Sequence, residues 1–464
     1  MKLILAPILA SLILAGCATV PDIVPKALPV TPAAFKEGEG RWTTVRPADS
    51  QPRGDWWRAF ADPVLDRLVE RAAESNTSIA VAAARLAQAR ALLQSNVANQ
   101  WPQLGLGASA SRAGGTANQA QFPPGTLVTA GANLSYEIDL FGKLAKASLA
   151  SELDAQAREA LLQNTRLLVQ ADVAQAYFAL RGLDEERALV RRTVSAYRET
   201  AALTERRFRA GDVAELEVLR AGTQVAATEA EAFALDRRRA ELEHAIAVLV
   251  GEPASSFGLV ETDWTTSLPV IPAGVPSTVL ARRPDVAAAQ RTVLASSVRI
   301  GVAEAAWFPD LSLTGAAGYA SPEIGDLFKW SMRAWGVGAL LALPIIDGGR
   351  RDAGVQFANA ERDATLAQYR ERVLVAFKDV EDQLSALRHL ASQAAAQERA
   401  VASATRSTAL SDVRYRNGYV SQLDLLDAQR SELANRRQSV QVRTAQYQAT
   451  VGLVRALGGG WGQS

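Results

Sequence analysis

The 464-residue chain holds one cysteine, Cys17, and two histidines, His244 and His389. A lone cysteine excludes an intramolecular disulfide framework. Two histidines in helix-like stretches, with no Cys/His cluster available, give zinc chemistry and Ser-His-Asp catalysis poor support. An excess of either charge is also missing. There are 50 basic and 49 acidic residues, and removing residues 1–16 takes away only Lys2. Balanced charge gives no electrostatic footprint for nucleic acid. After residue 16 no 18-residue uncharged apolar run occurs, so no transmembrane helix is expected. Enzyme chemistry has no assembled nucleophile, base and orienting group. Neither a metal nor a resident cofactor is expected.

What is present starts at the N-terminus. One cation, Lys2, precedes an uncharged run from Leu3 to Ala15. That run is too short to span a bilayer, which needs about 20 residues. It has the dimensions of a signal-peptide core. Leu14-Ala15-Gly16-Cys17 follows and resembles a bacterial lipobox, which implies a covalent lipid on Cys17 and cleavage before it. The alternative is an ordinary signal peptide with an incidental cysteine. Ala18, not Asp, follows the cysteine, and in the bacterial sorting pattern that directs a lipoprotein to the outer membrane.

The rest of the chain is written twice. Trp101-Pro102-Gln103-Leu104 matches Phe308-Pro309-Asp310-Leu311, and Phe141-Gly142-Lys143 matches Gly348-Gly349-Arg350. Arg207-Phe208-Arg209-Ala210-Gly211 matches Arg414-Tyr415-Arg416-Asn417-Gly418, and every pair is 207 residues apart. Repeats decide architecture. The expected organisation is a signal peptide (1–16), a lipidated N-terminal segment (17–61), a first repeat (62–257), a joint (258–284), a second repeat (285–457) and a tail (458–464).

Each repeat reads as helix, two strands, long helix and returning helix. The leading helices are expected from Pro63 to Gln100 and from Asp285 to Trp307, stopped by Pro102 and Pro309. The long helices, about 143–208 and 350–416, contain no proline. At 1.5 Å per residue the first is a rod of about 99 Å. Gly211 and Gly418 end the rods, and helices return over about 213–250 and 420–456. Rods this long need partner helices. Val373, Phe377, Val380, Leu384 and Leu387 step by four and three, a coiled-coil seam.

Four segments alternate instead, at 103–111, 127–138, 311–319 and 335–343. Leu104, Leu106, Ala108 and Ala110 face one way; Gln103, Gly105, Gly107 and Ser109 face the other. Trp335, Val337, Ala339 and Leu341 repeat the pattern. The length and the small or polar second face match a tilted membrane strand. Trp335, Tyr136 and Tyr319 are candidates for the membrane interfaces. Four strands cannot close a barrel, and an open edge in lipid leaves backbone groups unpaired at several kcal/mol each. The chain must therefore associate. Two copies would supply 8 strands and three would supply 12.

With the lipobox, four further motifs carry a family resemblance. They are Trp56-Trp57 with Phe60-Ala61-Asp62-Pro63, Ala281-Arg282-Arg283-Pro284-Asp285, Phe308-Pro309-Asp310-Leu311, and Gly418 followed by Leu423-Asp424-Leu425-Leu426-Asp427. The chain resembles the TolC/OprM-like outer membrane factors, in particular the lipidated NodT-type efflux branch. The resemblance implies a mainly α fold with transmembrane β. Three copies would form a 12-stranded β-barrel continuous with a long periplasmic α-helical barrel. It implies a lipid-anchored outer-membrane exit duct, working with a periplasmic adaptor and an inner-membrane pump of the resistance-nodulation-division class. It places Leu423, Asp424 and Asp427 at the periplasmic gate. Arg209, Gly211, Arg416 and Gly418 fall at the tips that contact the adaptor. Rings of leucine and aspartate would close a pore and favour cations; a solvated helix face is the plainer reading of the aspartates. Arg209 and Arg416 either pair with carboxylates near the tip or only favour helix ends. A duct for type I protein secretion and a periplasmic adaptor lipoprotein are the alternatives.

Overall fold

The computed structural model describes residues 35–37, 54–114, 125–269 and 282–459. Helices α1 (Pro63–Ser75) and α2 (Thr77–Ala98) lead into strands β1 (Gln103–Ala113) and β2 (Gly125–Ile138). Helices α3 (Lys143–Arg209) and α4 (Glu215–Leu249) follow. The order then recurs as α5 (Pro284–Ala305), β3 (Asp310–Ser321), β4 (Arg333–Ala342), α6 (Arg350–Arg416) and α7 (Gln422–Ala456). The starts of α2 and α5, α3 and α6, and α4 and α7 are each 207 residues apart. Among the described residues no helix is long and apolar enough to cross a membrane.

One expected helix is two. The run from Pro63 to Gln100 breaks at Asn76, whose backbone is extended. Its side-chain oxygen accepts from the N–H groups of Ser78 (2.9 Å) and Ile79 (3.2 Å). An asparagine that caps a new helix competes with continuing the old one.

The chain divides into two compact units, and α3 and α6 contribute residues to both. One unit contains Ala84–Glu159 and Ala288–Glu371. Its four strands form one antiparallel sheet in the order β1-β2-β3-β4. Register puts the predicted apolar rows in phase. Leu106 faces Ala132, Ala132 faces Ala317, and Ala317 faces Trp335. One sheet face is therefore apolar across all four strands. The other carries Ser109, Thr129 and Thr314, with Gly131 opposite Gly318. A Cβ on Gly318 would stand 2.3 Å from the Ala130 carbonyl oxygen, so only glycine fits this close strand approach. In the same unit α3 and α5 meet through Ala150, Leu153, Ala295 and Val298. Alanine at the crossing lets the helix backbones approach.

The second unit contains the described residues within Pro29–Ala83, Ala160–Ala287 and Arg372–Ser464. The expected seam is its core: Val380 packs with Leu453, Ala456 and Leu457, and Phe377, Leu384 and Leu387 cover them. The tryptophan motif is structural. Phe60 lies 4.8 Å from Phe178, which lies 4.8 Å from Tyr447, which lies 4.7 Å from Trp264. Asp62 caps α1 and also accepts from Tyr177 Oη (2.7 Å) and Thr266 Oγ1 (3.0 Å). An ionic clasp holds the joint. Arg181 donates to the Val260 carbonyl (3.0 Å) and Arg239 to the Leu259 carbonyl (2.6 Å). Arg187 reaches Glu261 (2.6 Å), and Asp184 receives Arg239 (2.7 Å). Such charges tolerate burial because each is paired and hydrogen-bonded. The Arg187 hydrogen bond holds the Glu261 carboxyl below its usual range.

Candidate functional site

The helical hairpins α3–α4 and α6–α7 turn at tips built the same way. Gly211 has φ of 84° and Gly418 of 73°, a left-handed conformation that costs glycine little. Gly211 N–H donates to the Phe208 carbonyl (2.9 Å) and Asp212 N–H to the Arg207 carbonyl (2.9 Å). The second tip repeats both bonds, from Gly418 to Tyr415 (3.0 Å) and from Tyr419 to Arg414 (2.8 Å). This is the Schellman helix end.

The sequence-predicted residues separate into different roles. Asp424 is the third residue of α7 and forms a capping box with Ser421. It accepts from Ser421 Oγ (2.7 Å) and Ser421 N–H (3.0 Å). Those bonds hold its carboxyl below the usual range. Leu423 and Asp427 are exposed one helical turn apart, and Asp427 lies 3.8 Å from Arg430. Arg209 pairs with Glu205 (3.0 Å) and Arg416 with Asp412 (3.0 Å), each within its own helix. Neither arginine engages Asp424 or Asp427 in the hydrogen bonds and ion pairs of the described residues. Cys17 lies outside the described residues.

The structure adds residues that sequence reasoning passed over. Arg207 donates to the carbonyls of Tyr415 (3.3 Å) and Arg416 (3.1 Å) and stands 4.9 Å from the Tyr415 ring centre. It thus caps the C-terminus of α6 from the other hairpin. Tyr415 Oη lies 3.1 Å from Thr204 Oγ1, which also receives Gln422 Nε2 (3.3 Å). All three are buried. A hydroxyl on one copy only, Tyr415 against Phe208, was the sequence signal for this link.

The sheet is the second functional surface. Its apolar face is bare in the single chain: Leu106 is 86% exposed and Val337 83%. Among the described residues the strands β1 and β4 each pair on one side only, which leaves both edges of the sheet open. At the helix end of the sheet Phe141 and Phe308 stack at 4.6 Å, and Trp101, Ile345 and Ile346 are exposed. At the loop end Tyr319 meets Phe328 at 5.7 Å. Aromatic girdles about 25 Å apart border the apolar band of an outer-membrane barrel.

A sheet with a bare apolar face and two open edges, in one chain with paired helical hairpins, defines a channel-forming membrane protein completed by other copies. The chain belongs to the outer membrane efflux protein family, whose family model matches residues 68–252 and 275–459. It is 30% identical over 469 residues to the cation efflux system protein CusC of Escherichia coli O6:H1, covering 99% of each chain. It is 31% identical over 485 residues to the solvent efflux pump outer membrane protein SrpC of Pseudomonas putida, covering 100% of each. The solved outer-membrane channel OprN matches with a TM-score of 0.86 at 30% identity, over 96% of this chain and 100% of that one.

Proposed function

We propose that the chain is the outer-membrane exit duct of a tripartite efflux system, a passive channel and not an enzyme. The observation that carries this is the half-open sheet: an apolar face in continuous register, ending in two unpaired edges, within this family. Edge β4 of one copy pairs with edge β1 of the next, because unpaired backbone is not tolerated in lipid. Three copies give a 12-stranded barrel, and their hairpins form a helical barrel in the periplasm. Cys17 carries the lipid anchor. A periplasmic adaptor docks at the hairpin tips around Arg209, Gly211, Arg416 and Gly418, and an inner-membrane pump, of the resistance-nodulation-division class, drives transport. Relatives named for cations, solvents and antibiotics fit a duct whose cargo is chosen elsewhere.

Leu423 and Asp427 are exposed on α7 just past the second tip, where three-fold symmetry turns each into a ring. The leucine ring narrows the aperture and the aspartate rings favour cations. Asp424 contributes charge while fixing the start of α7.

Heat-modifiable trimers on gels and single-channel conductance in planar bilayers test the duct. A monomeric, non-conducting protein sinks it. Asp427→Ala combined with Asp424→Asn, which keeps an acceptor for Ser421, is expected to weaken block by multivalent cations. Unchanged block removes the gate assignment. Cys17→Ser is expected to abolish palmitate labelling.

A further inference from the structure

Two of the four lipid-facing rows, those of the edge strands, end in cations. On β1 the row Leu104, Leu106, Ala108, Ala110 ends at Arg112. On β4 the row Leu341, Ala339, Val337, Trp335 ends at Arg333. Both arginines are exposed, on the apolar face, at the loop end of the sheet. The opposite face ends there in Ala113, Ala320 and Ala334. The β3–β4 loop adds Lys329, 2.6 Å from Asp326, with Ile324, Phe328 and Trp330 exposed around it. The Arg333 guanidinium stands 4.6 Å from the Trp330 ring centre and donates to the Trp330 carbonyl (3.1 Å). The helix end of the sheet differs: there Lys143 sits between Glu137 and Asp310, 3.1 Å from each. Among the described residues the two arginines of the loop end have no carboxylate ion-pair partner, whereas Lys329 shares its charge with Asp326.

Apolar strands, then exposed aromatic rings, then guanidiniums is the order of polarity met on leaving a membrane through its headgroups. Arginine adds a planar fork that matches phosphate oxygens in pairs. We propose that Arg112, Lys329 and Arg333 form a binding site for the phosphate-bearing headgroup of an outer-leaflet lipid. The site rests on the duct reading, because barrel closure is what sets β4 of one copy beside β1 of the next. It then straddles the seam between copies, so a bound lipid also staples the trimer.

The test uses the full-length protein in a phosphate-free maltoside detergent, with and without lipid A as the phosphorylated probe, and planar bilayers for conductance. Lipid retained on the trimer is read by native mass spectrometry, and trimer melting by gel. Lipid A is expected to raise trimer melting in the parent protein. Arg112→Gln, Lys329→Gln and Arg333→Gln should each cut retention about fivefold, as removal of one surface cation does. The triple variant should keep its trimer and conductance without lipid A. Equal retention by the triple variant overturns the site. Equal retention of dephosphorylated lipid A, or competition by inorganic phosphate alone, overturns the lipid phosphate as its ligand. A parent protein that forms neither trimers nor channels removes the duct reading, and the seam site with it.

Discussion

The two repeats make the same joint with different chemistry. In the first, Asn76 precedes α2 and donates to the Leu249 carbonyl at the end of α4 (2.8 Å). In the second, Arg283 takes the equivalent position and donates to the Ala456 carbonyl at the end of α7 (3.2 Å). Glycine follows each returning helix, at Gly251 and Gly458, where a Cβ would meet the carbonyl oxygen of Ser75 at 2.4 Å or of Arg282 at 2.9 Å. Backbone geometry has been kept while the side chain changed from a neutral cap to a buried ion pair with Asp285 (2.8 Å) and Asp379 (3.1 Å). The tips diverge likewise. Phe208 is 39% exposed and its counterpart Tyr415 is 2% exposed. Leu219 is exposed where Leu426 is buried. The second tip is held by the first hairpin; the first offers its apolar side chains outward. The 207-residue spacing is kept where elements start, and the side chains that differ at matching positions decide which face each one buries.

Breaking the second joint should have the largest effect. Arg283→Ala leaves the largely buried Asp285 carboxylate without its counter-charge, an expected loss of about 3–5 kcal/mol. Asn76→Ala should lose about 1–2 kcal/mol, the worth of a helix cap. Local hydrogen exchange around residues 456 and 249 measures both, and equal losses would erase the distinction. Tyr415→Ala is expected to cost about 3 kcal/mol in tip protection. Phe208→Ala should stay within about 0.5 kcal/mol.

Acid separates the two joints. Burial works against the charge on Asp285, but Arg283 holds its pKa below the ordinary value. A depressed carboxylate stabilises the fold above its unfolded pKa, and that contribution is lost as pH falls below about 4. Exchange at the second joint should therefore rise in acid. Asn76 does not titrate, so the first joint's own cap should not respond. A helix cap sharpens the tip comparison further. Ser421→Ala should destabilise the start of α7 by about 1 kcal/mol, whereas Ala214→Ser, giving α4 the cap it lacks, should gain a similar or smaller amount.

Long elements were legible because their signals are periodic and local. Proline-free stretches gave α3 and α6, terminal glycines gave their ends, and period-two alternation gave four strands whose register then aligned. The break at Asn76 was not legible, since asparagine is tolerated within a helix until its side chain finds a cap. Asp424 also closes a capping box with Ser421 three residues earlier, a Ser-x-x-Asp pattern present in the sequence. The Thr204–Tyr415–Gln422 link joins residues more than 200 positions apart, beyond any spacing rule.

The sequence by itself determined the repeat, the element types, the apolar faces and the need for partner copies, because each follows from hydrophobic period and backbone hydrogen bonding. Only the tertiary structure decided which of two matching residues is buried. That choice depends on the neighbouring hairpin's surface, and no local pattern encodes it. The same rule governs the charges. Arg283 and Arg112 are both plain arginines in the sequence, yet one is enclosed by two carboxylates and the other ends a bare apolar row.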